Sequence, residues 1–367
     1  MSGNRKASLR AAGALLIVLL TAPSGGAAAR APRKAPNAPA PPTAAIVMDV
    51  KTGAVLFAHD AHRRWPPAST TKILTAMLVI ERLPVDRVVP IGPRAVAQRN
   101  GSAIGLEQGE LWLVGDLLTA MVVRSANDAA VALAEAAAGS VEEFVEAMNG
   151  RAKRLGARNS HFVNPHGLHD PDHYTTAYDL ALIARYALHH PTFARLASTP
   201  AWIVSRGDRT PQQYPNTNKF LTLYTGADGV KTGWTAASGP CLVASATRNG
   251  WQLVAVVLNS ASSRQMYRDA EGLLNSAFQS FRMVRVAEQG KPVTTIDLGR
   301  RRSVDAVVPA DVYVVVKRTT TVTAQVRMRP NLRPPIEAGE RVGEVVFLDG
   351  ATVVARSALI AARTLRP

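Results

Sequence analysis

Two short apolar runs, Ile46-Val47-Met48-Asp49-Val50 and Ala54-Val55-Leu56-Phe57, are joined by the turn residues Lys51-Thr52-Gly53. Such runs around a Gly-containing turn predict a β-hairpin. From Ser69 to about Tyr186 the pattern is mostly helical. Its clearest stretch starts at Ser140, three residues before Glu143, which is a capping box. Behind it Val141, Phe144, Val145, Met148, Ala152 and Leu155 recur at helical spacing, and Gly156 closes the helix. Strand-like runs return at Val230, Cys241–Ala246 and Gln252–Leu258. Helices inserted between early and late strands predict one mixed domain whose sheet pairs the two ends of the segment. After Phe281 the composition shifts to short Val-rich runs: Val293–Leu298, Val304–Val308, Val312–Val316, Val322–Met328, Glu344–Leu348 and Val353–Ile360. Punctuated by Gly, Pro and Asp, they predict a small all-β domain. The expected boundaries are 46–281 for the mixed domain and 283–367 for the β-rich one.

The N-terminal composition adds an address. Residues 1–29 carry Arg5, Lys6 and Arg10 but no acid, then an apolar run from Ala11 to Thr21, then Ala27-Ala28-Ala29. This is the pattern of an export signal with its cleavage site. The run is too short to span a bilayer comfortably, and no other stretch approaches about 18 uninterrupted apolar residues. No Cys stands at the cleavage point for a lipid anchor. Residues 30–45 are Pro- and Ala-rich and read as an extended linker. The chain is therefore expected to act outside the cytoplasm, in the periplasm or cell envelope.

Charge and cysteine change the picture little. Of the formal net charge of +16, +13 lies beyond residue 29. A basic envelope protein is drawn at long range to anionic polymers or lipid headgroups. No block of five like charges appears, so the charge reads as spread over solvated faces, Lys317-Arg318 and Arg300-Arg301-Arg302 included, and no nucleic-acid partner is expected. Cys241 is the single cysteine, so no intrachain disulfide forms; inside Cys241–Ala246 it reads as a small core residue.

The candidate chemistry lies in three motifs in chain order: Ser69-Thr70-Thr71-Lys72, Ser125-Ala126-Asn127 and Lys231-Thr232-Gly233. Ser69 opens a helical stretch, and residues three apart share a helix face, which puts Lys72 one turn above Ser69. A serine hydroxyl is a weak nucleophile until a base takes its proton. An amine does so only when neutral, and burial or a nearby second cation, here Lys231, pushes it that way. The helix N-terminus offers the Ser69 N–H to a developing oxyanion. Each motif alone is weak: Ser2-Gly3-Asn4 and Lys51-Thr52-Gly53 are chance copies, the second of them in a turn. The ordered set is what carries specificity, since it is the set of penicillin-binding proteins and β-lactamases. No metal or cofactor is called for.

At these residues the sequence resembles the low-molecular-mass penicillin-binding proteins, the D-alanyl-D-alanine carboxypeptidases. Pro67-Ala68-Ser69-Thr70-Thr71-Lys72, Ser125-Ala126-Asn127-Asp128-Ala129, Asn164-Pro165-His166-Gly167-Leu168, Thr175-Thr176-Ala177, Asn216-Thr217-Asn218-Lys219, Asp228-Gly229-Val230-Lys231-Thr232-Gly233 and Cys241–Ala246 carry the likeness. It runs from about Thr43 to Phe281, and the β-rich tail is similar to the family's C-terminal domain. The implied fold is α/β of the mixed α+β kind. It comprises a β-lactamase/transpeptidase-like domain, with an antiparallel sheet flanked by helices and a helical subdomain, followed by a small all-β domain. The implied activity is removal of the terminal D-alanine from peptidoglycan stem peptides ending in D-Ala-D-Ala, through an acyl-serine intermediate that β-lactam antibiotics trap covalently. The resemblance implies Ser69 as the acylated residue, Lys72 as general base and Ser125 as proton relay helped by Lys231. It implies Asn127 on the peptide amide, Thr232 of Lys231-Thr232-Gly233 and, by looser alignment, Arg264 on the terminal carboxylate, and the Trp234 N–H beside that of Ser69 in an oxyanion hole. Where many relatives continue into an amphipathic helix on the membrane, this chain ends at Arg366-Pro367. Membrane association is left open.

Other mechanisms fit less well. A class A β-lactamase activates water with a loop glutamate, and no Glu lies between Glu146 and Glu271. A DD-endopeptidase cutting peptidoglycan cross-links shares the machinery, but such relatives more often lack the β-rich domain. No Gly-x-Ser-x-Gly is present for a Ser-His-Asp hydrolase. His166, His169, His173, Asp170 and Asp172 cluster without His-Glu-x-x-His spacing and read as a solvated loop rather than a metal site. A non-catalytic wall-binding module is the remaining alternative, against which the three intact motifs speak.

Overall fold

The computed structural model describes residues 41–206, 210–299 and 302–366. The expected export signal, residues 30–40 of the expected linker, and Arg300 and Arg301 lie outside the described residues. The chain opens with the hairpin β1 (Ala44–Asp49) and β2 (Val55–His59), passes a 3₁₀ turn at Ala68–Thr71 and enters α1 (Lys72–Arg82). Next come β3 (Val88–Pro90), α2 (Pro93–Ala97), β4 (Leu111–Leu113), α3 (Val114–Thr119), a π turn at Ala120–Arg124, α4 (Asn127–Ala138) and α5 (Val141–Arg154). Then follow α6 (Ala177–Leu188), α7 (Pro191–Ser198), the pair β5 (Ala201–Val204) and β6 (Gln212–Pro215), and α8 (Phe220–Leu223). Three long strands, β7 (Ala227–Thr235), β8 (Gly239–Arg248) and β9 (Trp251–Leu258), lead to α9 (Ser263–Ser280).

The central antiparallel sheet has the order β2-β1-β9-β8-β7, so the first hairpin pairs with the last strand of the segment, Ala44 opposite Leu258 and Asp49 opposite Leu253. Alternation explains why these strands read as nearly continuous apolar runs: both faces are covered. Leu253, Ala255 and Val257 face α9 with Ala45, Val47, Leu242 and Ala244. Val254, Val256 and Leu258 face the helical half with Ile46, Met48, Cys241 and Val243. Cys241 is fully buried, and desolvation pushes its thiol up to about 12, so it is a core side chain without thiolate chemistry at neutral pH. The strand β1 starts at Ala44, before the apolar pattern becomes visible, because Ala44 and Ala45 are small yet fully packed.

The Ser140 half of the capping box forms as its spacing requires: Glu143 N donates to Ser140 Oγ at 3.1 Å and α5 runs on from there. The 69–186 segment is less uniformly helical than its pattern suggests. β3 pairs with β4 over three residues each, too short to show a period, and residues 157–176 form a non-helical loop held by side-chain-to-backbone bonds.

The tail is an all-β domain. β10 (Phe281–Ala287) pairs with β13 (Val312–Lys317), and β11 (Pro292–Asp297), β12 (Ser303–Val307), β14 (Val322–Met328), β15 (Arg341–Asp349) and β16 (Thr352–Ala361) form a second sheet of order β11-β12-β16-β15-β14. Val304, Ala306, Val314, Val316, Val345, Phe347 and Leu359 fill the space between them. Phe281, Met283 and Val315 instead reach the α9 core of the central sheet.

Candidate active site

Ser69 is held by its neighbours' backbone. Ala68, buried and not glycine, has φ +49°, a left-handed conformation that persists only when the surroundings fix it. Its carbonyl accepts from Thr71 Oγ1 at 2.8 Å. Gly167 packs on that same carbonyl so closely that a Cβ there would sit 1.8 Å from Ala68 O. Only glycine fits. Because the turn before α1 is 3₁₀, residues i and i+3 eclipse, and Lys72 stands directly over Ser69.

Lys72 Nζ lies 3.0 Å from Ser69 Oγ and donates to Asn127 Oδ1 and to the His166 carbonyl, each at 2.6 Å. The side chain is fully buried. A neutral amine has two N–H groups and one lone pair. With both donors engaged by fixed acceptors, the lone pair is left for the Ser69 hydroxyl. Burial pushes Lys72 well below its ordinary pKa, the charge of Lys231 pushes the same way, and Asp128 opposes them.

Ser125 follows the π turn and sits at φ +66°, so the chain reverses sharply into α4 and Ser125 reaches the cleft. Asn127 and Asp128 hold the wall opposite. Asn127 Nδ2 donates to Asn100 O at 2.7 Å and Asn127 N to Ser102 O at 2.7 Å. The buried Asp128 carboxylate accepts from the N–H groups of Ile104, Gly105 and Leu106 at 3.0, 2.9 and 3.2 Å. Gly101 and Ser102 of this loop line the cleft.

The third side is β7, the edge of the central sheet. Lys231 is buried, lies 3.5 Å from Thr217 Oγ1 and 3.3 Å from Thr232 O, and desolvation lowers it to about 7. Thr232 Oγ1 donates to Thr217 Oγ1 at 3.3 Å. A Cβ on Gly233 would be 3.0 Å from both Pro67 O and Ser69 N, so β7 passes directly beside the Ser69 amide. Ser69, Ser125, Asn127, Thr217, Thr232 and Trp234 share one cleft of about 360 Å³.

Comparison with known proteins agrees with this geometry. Residues 32–262 match the family model described as D-alanyl-D-alanine carboxypeptidase, and residues 281–366 match the C-terminal domain of penicillin-binding protein 5. The chain is 30% identical over 332 residues to the D-alanyl-D-alanine carboxypeptidase DacF of Bacillus subtilis, covering 88% of this chain and 85% of that protein. It is 34% identical over 337 residues to DacD of Escherichia coli, covering 86% and 84%. The chain belongs to the D-alanyl-D-alanine carboxypeptidase family. The crystal structure of penicillin-binding protein 5 from Haemophilus influenzae superimposes with a TM-score of 0.80 at 29% identity, over 91% of this chain and all of that one.

Within this family frame, the structure gathers Ser69, Lys72, Ser125, Asn127, Lys231, Thr232, Gly233 and Trp234 around one cleft or directly behind it. Arg264 is different. It is exposed on the first turn of α9, and its neighbours Ser263, Met266 and Tyr267 line the cleft while it does not. Trp234 has an exposed ring, so it contributes to the cleft from the rim.

The histidine-rich loop corrects its sequence reading. His169 is exposed, but His166 and His173 are buried rather than solvated, because they pack against the turn that carries Ser69 and Lys72. Val163 N donates to His173 Nδ1 at 3.1 Å, which assigns the proton to Nε2, 2.8 Å from Thr71 Oγ1. His173 thus supports the hydroxyl that fixes Ala68. The other contributors the sequence did not flag are the His166 carbonyl and the Asp128 carboxylate.

These buried imidazoles predict acid sensitivity. Burial lowers His166 to about 3 and His173 to about 4, against an ordinary 6.5; Lys72 adds to both, and for His173 the nearby Asp170 opposes while His161 and His169 assist. Both folded values lie below the unfolded ones. As pH falls through 6.5, the unfolded chain takes up protons that the native state refuses until about 4, so stability drops across that window. For His173 the gap corresponds to about 3 kcal/mol by the low end. The melting temperature is expected to fall clearly between about pH 7 and about pH 4.5, and His173→Gln to reduce that fall. Equal slopes in the two proteins would remove His173 from the explanation.

Proposed function

We propose that Ser69 is the residue through which this D-alanyl-D-alanine carboxypeptidase forms its acyl-enzyme. Ser69 Oγ attacks the carbonyl carbon of the penultimate D-alanine, and its proton passes to the lone pair of neutral Lys72. The oxyanion is stabilised by the N–H groups of Ser69 and Trp234. As the C–N bond breaks, Ser125 gives its proton to the leaving D-alanine amine and is resupplied from the protonated Lys72 with Lys231 behind it. Water then attacks the ester with Lys72 again as base, which restores Ser69. The observation that carries this reading is the Lys72 amine: 3.0 Å from Ser69 Oγ, fully buried, with both donors engaged elsewhere.

Substrate orientation follows from the edge. An edge strand presents unpaired backbone groups to an incoming peptide, and β7 ends the central sheet at the cleft. The stem peptide is read as an added strand beside β7, its amide on Asn127 and its terminal carboxylate on Thr232 and charged Lys231. Arg264, exposed one residue after the cleft-lining Ser263, is the rim cation for that carboxylate. The same pocket accepts β-lactams as peptide mimics.

Carboxypeptidase chemistry is favoured over cross-link cleavage by the relatives' shared activity. Incubation with a purified pentapeptide muropeptide and, in parallel, with a cross-linked dimer separates the two by mass. Loss of one alanine from the pentapeptide with an intact dimer is the expected result; rapid cleavage of the dimer with an untouched pentapeptide would overturn the assignment. The enzyme acts on the extracytoplasmic face of the envelope, with residues 1–29 as its export signal.

A further inference from the structure

Where α9 hands over to the all-β domain lies a second cavity, of about 550 Å³, which shares no lining residue with the cleft. Three guanidinium groups line it: Arg248 from the end of β8, Arg282 from β10 and Arg318 from the turn after β13. Among the described residues each uses its side chain for one hydrogen bond, always to a neutral oxygen. Arg248 donates to Asn275 Oδ1 at 2.9 Å, Arg282 to Thr320 O at 3.0 Å and Arg318 to Phe278 O at 3.1 Å. A guanidinium has five N–H donors, so most of this set is uncommitted.

Among the described residues none of the three takes part in an ion pair, whereas Arg94, Arg151, Arg206 and Arg285 each find a carboxylate. Asp349, which touches the same turn, accepts from Thr320 Oγ1 instead. No carboxylate lines the cavity. Arg318 also caps the C-terminal end of α9, its backbone N–H donating to Ser280 O at 2.9 Å and its guanidinium to Phe278 O. Arg248 lies over the Tyr224 and Phe278 rings at 4.8 and 4.9 Å, which fixes its plane. Trp251, Phe278 and Met283 complete the wall with apolar surface.

We propose that this cavity binds a glycerol-type phosphodiester. Arginine forks match phosphate oxygens two at a time, and three converging forks over an aromatic floor suit a phosphate flanked by carbon. The net charge of +16 draws such anions in from a distance. The chemistry is shared by an anionic phospholipid headgroup and by a polyol-phosphate chain. Either would tether the enzyme away from its catalytic cleft and leave the peptidase chemistry untouched.

The test uses the full chain, vesicles of phosphatidylglycerol in phosphatidylcholine, pure phosphatidylcholine vesicles, and soluble glycerophosphoglycerol. Arg248→Gln/Arg282→Gln/Arg318→Gln is compared with a triple Arg→Gln variant at Arg87, Arg158 and Arg195, three exposed arginines elsewhere that remove the same charge. Wild type is expected to bind the phosphodiester probes, the cavity variant at least about tenfold more weakly, and the control variant within about twofold of wild type. Penicillin labelling stays equal in all three. Competition by the soluble diester, which is the lipid headgroup without its acyl chains, shows that the phosphodiester alone suffices; vesicle binding that the soluble diester does not displace shows that the phosphodiester is taken from the lipid surface. Equal losses in both variants, unchanged binding in the cavity variant, or no binding by wild type would each overturn the proposal. Should the triple variant fail to melt cooperatively, Arg282→Gln carries the test, with about a tenfold loss expected and unchanged binding contradicting it.

Discussion

Ser69→Ala is expected to abolish covalent labelling by penicillin and release of D-alanine while leaving the protein folded. Among the described residues the Ser69 hydroxyl hydrogen-bonds only with Lys72, and the turn that presents it is held by Ala68, Thr71 and Gly167, none of which the change removes. Removing the nucleophile from a comparable serine hydrolase costs about a millionfold in rate, because the remaining oxyanion donors and binding groups cannot form the ester. Intact-mass measurement after exposure to penicillin reads the result directly. A stoichiometric adduct on the variant would place the nucleophile elsewhere, whereas an unmodified mass with a native-like melt is the expected outcome.

Lys72→Arg is expected to be nearly as damaging, by at least about three orders of magnitude in acylation rate. A guanidinium stays protonated and has no lone pair for the Ser69 proton. It also brings a permanent charge into a fully buried site beside the buried Lys231, so the loss of activity is accompanied by a lower melting temperature. Lys72→Ala separates the two effects, since it removes the base without adding charge; it too is expected to be inactive. Near-normal acylation in either variant would mean that another group, with Lys231 the first candidate, takes the proton.

Much of this was readable from residue order alone. Ser69, Lys72, Ser125 and Lys231 carry side chains of reactive types in a recognisable order, so their types and spacing marked them as candidates, and the fold brings them to one cleft or directly behind it. The first hairpin, the strands of the central sheet and the capped helix behind Ser140 followed from period and turn residues. What stayed hidden has no sequence signature. The second acceptor on Lys72 is the His166 carbonyl, and backbone carbonyls look alike at every residue. The wall of the cleft depends on Asp128 gathering three amides from residues 104–106, a contact set only by the tertiary fold. His173 looked like part of a polar loop because its neighbours are Asp, Pro and His; only packing under the nucleophile reveals it as a buried support. Arg264 shows the opposite case, a chemically sensible residue that the fold leaves outside the lining of the cleft.

The pH dependence of the single-turnover acylation rate with a penicillin most directly tests whether an uncharged Lys72 activates Ser69. Neutral Lys72 must be present for the proton to leave Ser69, so the rate falls about tenfold per pH unit below its folded pKa and is flat above it. A pKa held well under the ordinary 10.5 by burial and by Lys231 starts that plateau well before pH 10.5. A rate that instead keeps climbing in proportion to hydroxide up to 10.5 would show a lysine of ordinary basicity, and the mechanism built on its neutrality would be wrong.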